Sequence, residues 1–411
     1  MPALTDCTYR RELHLRRLDL RKTQAARLNT IRDINRQIVL NYVREREPIS
    51  RAEIARETDL QRSTISAIVE DLKSEGLVEE VGEGESTGGR RPTMLKLRAK
   101  EAIAIGVAIT PTCTTVATSD LAGRVVEQKE FLTDLNAEKT LNEVIAVVRE
   151  LSARNKGSIE AVGISLPGLV DPSTGTAIYI PYFKWRDLPL AQIISSATGL
   201  PVTIDNDANA VALAELWFGQ DVMRTTRNFI LVLVADGIGT GIIIDGQVYR
   251  GQRGAAGEFG HMVIGTNAPV ACSCGNHDCW EAFSSERAAL ARYAKLSGAG
   301  ETLSCGFPAL VDRALGGEAN AKAALVETAH FLSIGISNLV VGFSPEAVVV
   351  GGDIARAWSL VEGALTERIE RTVRRGLPSA RIMPSTLGDK PALRGALSLV
   401  LAGKFAAAFA A

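Results

Sequence analysis

Three of the chain's six cysteines, Cys272, Cys274 and Cys279, fall within eight residues, and His261 stands eleven positions before the first of them. No other stretch constrains the fold as tightly. Three thiolates and one imidazole complete a tetrahedral ligand set, and a zinc ion held by four protein ligands is structural rather than catalytic. Gly275 lies where a tight ligand loop needs permissive backbone angles. Buried free thiols are the alternative, since cysteine packs as a small hydrophobe. Cys-x-Cys with a third cysteine nearby and a spaced histidine is nevertheless metal-ligand spacing. Nothing at the N-terminus resembles an export signal, so a disulfide is not expected. The expectation is a structural Zn2+ site over residues 261–279.

Two carboxylates frame this cluster: Glu258, three residues before His261, and Glu281, two after Cys279. An ionised carboxylate only accepts hydrogen bonds and sugar hydroxyls donate them, so acids fixed in a polar loop suit hydroxyl-rich ligands. Either residue alone reads equally well as a solvated loop charge. The run Gly-Glu-Phe-Gly-His followed by Cys-x-Cys-Gly-x3-Cys-x-Glu resembles the signature of the ROK family (repressors, open reading frames and sugar kinases). The resemblance implies that His261, Cys272, Cys274 and Cys279 hold zinc. It also implies that Glu258, His261 and Glu281 face a sugar.

At 411 residues, 46% hydrophobic and 23% charged with net charge -1, the chain has material for two or three domains. No uninterrupted apolar run approaches a membrane span, so no membrane partner and a cytoplasmic location are expected. Residues 1–98 hold 19 Lys+Arg against 16 Asp+Glu (+3), and the remainder 27 against 31 (-4). That asymmetry is too small to argue for nucleic acid by itself.

Clustering makes the argument. Residues 1–28, with seven Lys or Arg, read as an N-terminal tail, the other reading being a basic arm. A helix is expected over 30–46, with Ile31, Ile34, Ile38, Val39 and Tyr42 on its apolar face. Ser50 and Glu53 form a capping-box pair at the start of a short helix. After a turn near 58–60, a second helix over 62–74 buries Ile65, Ile68, Val69 and Leu72. This is helix-turn-helix spacing, with Gln61, Arg62, Ser63, Thr64 and Ser66 presented to a DNA groove. Two helices packed for structure alone are the other reading. The usual turn glycine is absent, and Asp59 stands near its place. Two strands follow, 77–81 and 94–97, joined by a Gly-rich segment that carries Arg90 and Arg91 as a wing suited to phosphates or a minor groove. The segment resembles the winged-helix half of the ROK repressors.

From residue 102 onward, strands and helices alternate in two similar halves, an α/β arrangement. The resemblance narrows this to a two-lobed actin-like ATPase fold of sugar-kinase type over 99–411, behind a winged helix-turn-helix over 29–98. The stretch 202–210 runs from a strand end into a helix, where side chains point into a ligand crevice. Asp207 reads either as the N-cap of that helix or, by resemblance, as the equivalent of the kinase general base, with Asn206 binding sugar beside it. An active kinase also needs an Asp-x-Gly-Gly-Thr phosphate hairpin. Here Ala108 stands at the Asp, and Thr110 and Pro111 at the glycines. Ala108 cannot ionise and Pro111 donates no N–H. Glycine persists at the second phosphate loop, 236–241, and at Gly351 and Gly352.

Two functions compete. One is a sugar-responsive transcriptional regulator, a repressor rather than an enzyme, that binds double-stranded operator DNA and a small sugar or sugar phosphate. The other is an ATP-dependent sugar kinase with an accessory DNA-binding domain. For the regulator a homodimer or dimer of dimers is expected, since helix-turn-helix proteins read paired half-sites. Residues 88–92 are expected to couple the two halves.

Overall fold

The capping box at Ser50 is realised: its backbone N–H donates to Glu53 Oε2 at 2.8 Å and its hydroxyl accepts from the Glu53 amide at 3.2 Å. In this computed structural model residues 28–84, 91–98, 103–155, 158–298, 305–372 and 378–405 are described. They divide into two units, the first running up to residue 96 with residue 405 added, the second from residue 97 to residue 404.

The first unit strings α1 (Leu28–Arg46), β1 (Ile49–Ser50), α2 (Arg51–Thr58), α3 (Arg62–Ser74), β2 (Val78–Glu83) and β3 (Thr93–Leu97), with sheet order β1-β3-β2. The α3 residues Ile65, Ile68, Val69 and Leu72 are buried, as their spacing requires. Asp59 occupies the turn glycine's place and adopts the left-handed conformation itself, with φ 58°. Aspartate tolerates that region better than most side chains do. The α1 face differs from expectation. Val39, Leu40 and Val43 are buried, whereas Ile31 and Ile38 are exposed. The i, i+3, i+4 pattern is matched by two overlapping stripes, and the neighbouring helices select one of them.

In the second unit one topology occurs twice. The first sheet contains β4 (Ala104–Ile109), β5 (Cys113–Ser119) and β6 (Val125–Leu132), a meander. After α4 (Ala137–Arg154) comes β7 (Ala161–Leu166), parallel to β4. A three-stranded sheet intervenes: β8 (Leu169–Asp171), β9 (Thr176–Ile180) and β10 (Trp185–Leu188). Then α5 (Leu190–Thr198) leads to β11 (Val202–Asn206), parallel to β7, and α6 (Asp207–Phe218). The second sheet repeats the plan. Its meander is β12 (Phe229–Val234), β13 (Ile238–Ile244) and β14 (Gln247–Val248). Four helices follow: α7 (Trp280–Ser284), α8 (Glu286–Ser297), α9 (Phe307–Leu315) and α10 (Ala319–Phe343). Next come β15 (Ala347–Gly351), α11 (Trp358–Thr372) and β16 (Arg381–Pro384), the strands parallel to β12 and to one another, and finally α12 (Pro391–Phe405).

The core positions the site. Leu393, Leu397 and Leu401 of α12 pack on Ala104, Ala108 and Ala117 of the first sheet. That approach needs glycine at 163, where an added Cβ would lie 2.0 Å from the Ala396 carbonyl oxygen. By length and composition α10 could cross a bilayer, but 61% of its most apolar window is buried in the second core. An apolar helix surrounded by protein is a core helix. The expected second phosphate loop is mostly strand: β13 begins at Ile238, leaving only residues 235–237 as the hairpin turn.

Candidate metal centre and ligand cleft

The four spaced ligands converge. Cys272 Sγ lies 3.3 Å from His261 Nδ1 and 3.2 Å from Cys274 Sγ, and Cys274 Sγ lies 3.8 Å from Cys279 Sγ. All four ligand atoms fall within 4.8 Å of one another. Metal–sulfur bonds of about 2.3 Å in a tetrahedron place sulfurs roughly 3.8 Å apart, so the set can hold a metal ion. Gly275 has φ 89° in this loop, as its position predicts. The loop is anchored by the Trp280 amide, which donates to the Met262 carbonyl at 2.7 Å, and by the fully buried Trp280 ring. That ring fills the space beside Gly335, where an added Cβ would come within 2.0 Å of it.

His261 turns its other nitrogen to the cleft, with Nε2 3.5 Å from Glu258 Oε2. Glu281, 6% exposed, accepts at Oε1 from the Ser273 amide and hydroxyl at 3.1 and 2.9 Å, and from the Cys272 thiol at 2.9 Å. The cysteine loop thus holds Glu281, and His261 stands beside Glu258. Asn206 and Asp207 come from the opposite wall. All five expected sugar residues, Asn206, Asp207, Glu258, His261 and Glu281, line one cavity of about 90 Å³.

The two readings of Asp207 are now separable. The α6 cap is Asn206, whose Oδ1 accepts from the Ala208 and Asn209 amides at 2.9 and 3.3 Å while its Nδ2 donates to the Gly168 carbonyl at 3.0 Å. Asp207 is the first helical residue and points its carboxylate into the cavity. Burial pushes that carboxyl up to about 6; the Ala208 amide opposes the rise and Glu258 adds to it.

Beyond Asp207 a second cavity of about 340 Å³ is lined by Ala108, Thr110 and Pro111. The Thr110 amide and hydroxyl both donate to the Cys113 carbonyl, at 3.0 and 2.7 Å, so the β4–β5 turn satisfies itself. Sequence reasoning left Asp353 and Asp389 off the site here, and also Asp236 and Glu286. The last two stand in runs that read as a glycine turn and a helix start, and only the fold turns them toward one space.

On the first unit, Gln61, Arg62, Ser63 and Ser66 are exposed along α3, with Thr64 half-buried among them. Arg91 is exposed at the foot of the wing, and Arg90 lies outside the described residues.

Residues 104–402 match the ROK family, and residues 38–91 match the MarR family. The chain belongs to the ROK family. It is 32% identical over 380 residues to the xylose repressor of Bacillus spizizenii, covering 90% of this chain and 96% of that one. It is 27% identical to the DNA-binding transcriptional dual regulator NagC of Escherichia coli, over 92% of this chain and 95% of NagC. A ROK family transcriptional regulator, homologous to the E. coli MLC protein, superposes with TM-score 0.73 at 25% identity, covering 92% and 97% of the two chains. A ROK glucokinase from Streptomyces griseus, solved with glucose and AMPPNP, superposes with TM-score 0.66 at 30% identity, over 72% of this chain and 98% of the kinase. The fold is therefore a winged helix-turn-helix joined to a two-lobed, actin-like ROK fold, as expected from the sequence. The xylose repressor, NagC and the MLC homologue each match at least 90% of this chain and are named as transcriptional regulators, whereas the kinase covers 72% of it.

Proposed function

We propose that this chain is a sugar-responsive DNA-binding repressor, and that it binds its effector in a kinase-type cleft without phosphorylating it. One observation carries the reading. Asn206, Asp207, Glu258, His261 and Glu281 meet in one cavity, while Ala108, Thr110 and Pro111 occupy the adjoining phosphate side. The names of the xylose repressor and NagC support sugar control of transcription.

In this reading residues 29–98 bind operator DNA, after a tail over 1–28, and residues 99–411 bind sugar. Gln61, Arg62, Ser63, Thr64 and Ser66 read the groove, with Arg90 and Arg91 on the wing. Asp207, Glu258 and Glu281 accept hydrogen bonds from sugar hydroxyls, and Asn206 shapes the opposite wall. His261, Cys272, Cys274 and Cys279 hold Zn2+, which supplies rigidity and leaves no open position for water. The protein acts in the cytoplasm as a homodimer or dimer of dimers on paired half-sites. The S. griseus glucokinase favours a second reading, a sugar kinase with an added DNA-binding domain.

The test is operator binding by the purified protein, titrated with xylose, glucose and N-acetylglucosamine, alongside an ATP-dependent phosphorylation assay. A sugar-dependent change in operator affinity without product formation is expected. ATP-dependent phosphorylation of any sugar would establish the kinase instead.

A further inference from the structure

The two cavities adjoin, and Pro167, Tyr182, Asp207, Leu233, Ala235 and Gly237 line both. Around the first stand three carboxylates, Asp207, Glu258 and Glu281, and its described lining contains no Lys or Arg. Around the second, Asp207 is joined by Asp236, Glu286, Asp353 and Asp389, with Lys390 the one basic residue in its described lining. Lys390 is already paired with Glu130, and Arg356, the cation nearest Asp353, also bonds Asp312. The amino end of α8, whose dipole would favour an anion, carries Glu286 as its first residue behind the Ser285 cap.

We propose that the effector is an uncharged saccharide and that Asp236 and Glu286 make this cleft reject sugar phosphates and nucleotides. The inference rests on the sugar-cleft reading above and decides the chemical class of ligand that the cleft takes.

The reason is electrostatic and geometric. Sugar hydroxyls donate to carboxylates, whereas a phosphate dianion offers only acceptors and a like charge. Discrimination against a wrong partner is built from unfavourable contacts as much as from favourable ones. Burial first, then Asp236 and Asp353, push the Glu286 carboxyl up to about 8, so Glu286 is mostly neutral at pH 7 and adds its charge as pH rises through that value; burial raises Asp236 and Arg287 opposes the rise. The wall that the cavities share is also crowded: a Cβ added at Gly237 would lie 2.6 Å from Glu281 Oε2 and 3.0 Å from the Tyr182 hydroxyl.

The experiment is calorimetric titration of the full chain with xylose, glucose and N-acetylglucosamine, each beside its terminal phosphate ester, and with AMPPNP. For whichever sugar binds, the phosphate ester should bind at least roughly tenfold more weakly, as repulsion by several nearby carboxylates requires. Added salt should narrow the gap in the unaltered protein, because screening weakens repulsion. In Asp236→Asn/Glu286→Gln the preference for the neutral sugar should fall by roughly tenfold at pH 9. Glu286→Gln alone should show little change at pH 7 and a fall at pH 9, and the salt series stands even if neither variant folds. A phosphate ester that binds the unaltered protein as tightly as its neutral parent overturns this inference and leaves the sugar cleft intact. Failure of every probe to bind overturns the sugar-cleft reading, and this inference with it.

Discussion

Arg250 donates from Nε and from Nη2 to the same oxygen of Asp205, at 2.8 and 2.7 Å. The pair ties the loop after β14 to the end of β11, beside Asn206 and Asp207. Asp205 is 1% exposed, and its other oxygen accepts from the Asn206 amide at 2.8 Å. Burial raises the Asp205 carboxyl and Arg250 opposes the rise. Arg250→Ala strands a buried charge and should cost about 2 kcal/mol, less than a wholly buried pair because the guanidinium is partly exposed. Urea unfolding measures it. Asp205→Asn in the same background should recover part of the loss, and no recovery would show that the cost comes from poorer packing.

Glu215, on α6, is 1% exposed, and one of its carboxylate oxygens has no hydrogen-bond partner among the described residues. Burial pushes the carboxyl up to about 7, against hydrogen bonds from Ser385 and Thr386. The folded state then binds more protons than the unfolded state between about 4.5 and about 7. Stability contributed by the neutral form is fully present below that window and is lost as pH rises through it. Glu215→Gln should therefore stabilise the protein at pH 8, by up to roughly 3 kcal/mol. The gain should vanish near pH 4.5. A gain independent of pH would mean that charge is not its source.

Cys274→Ser should lose bound metal and sugar affinity together, because the ligand loop also carries Glu281 and faces His261. Metal content by atomic absorption and sugar titration on the same sample check this. Full sugar affinity in metal-free protein would separate the two sites.

Arg62→Ala and Arg91→Ala should weaken operator binding across sequences or relax its specificity. Each should also flatten the salt dependence by about one unit of slope for every DNA phosphate that its guanidinium neutralises. Binding as tight as that of the unaltered protein at physiological salt would place the interface elsewhere.

The parts of this molecule legible in the sequence are those written locally. His261 and the three cysteines lie within nineteen positions, and the Ser50–Glu53 capping box within four. The Asn206–Asp207 pair stands at a strand–helix junction whose period changes visibly. What is not legible depends on distance along the chain. Asp205 and Arg250 are 45 residues apart. Asp236, Glu286 and Asp353 gather only once the second sheet and α8 are packed. The buried face of α1 departs from its periodicity because neighbours choose between overlapping apolar stripes. β8, β9 and β10 are short and lack the alternation that announces a strand. Residues 1–27 and Arg90 lie outside the described residues.

The central claim, that a sugar in this cleft governs DNA binding, is tested most directly by calorimetry of sugar binding with and without operator, using the unaltered chain and Glu281→Ala. Coupling between two ligands is reciprocal, so operator must change sugar affinity by the same factor by which sugar changes operator affinity. The predicted result is a change of roughly fivefold or more in sugar affinity on adding operator, with sugar binding lost in Glu281→Ala. Sugar affinity that is the same with and without operator would contradict the account.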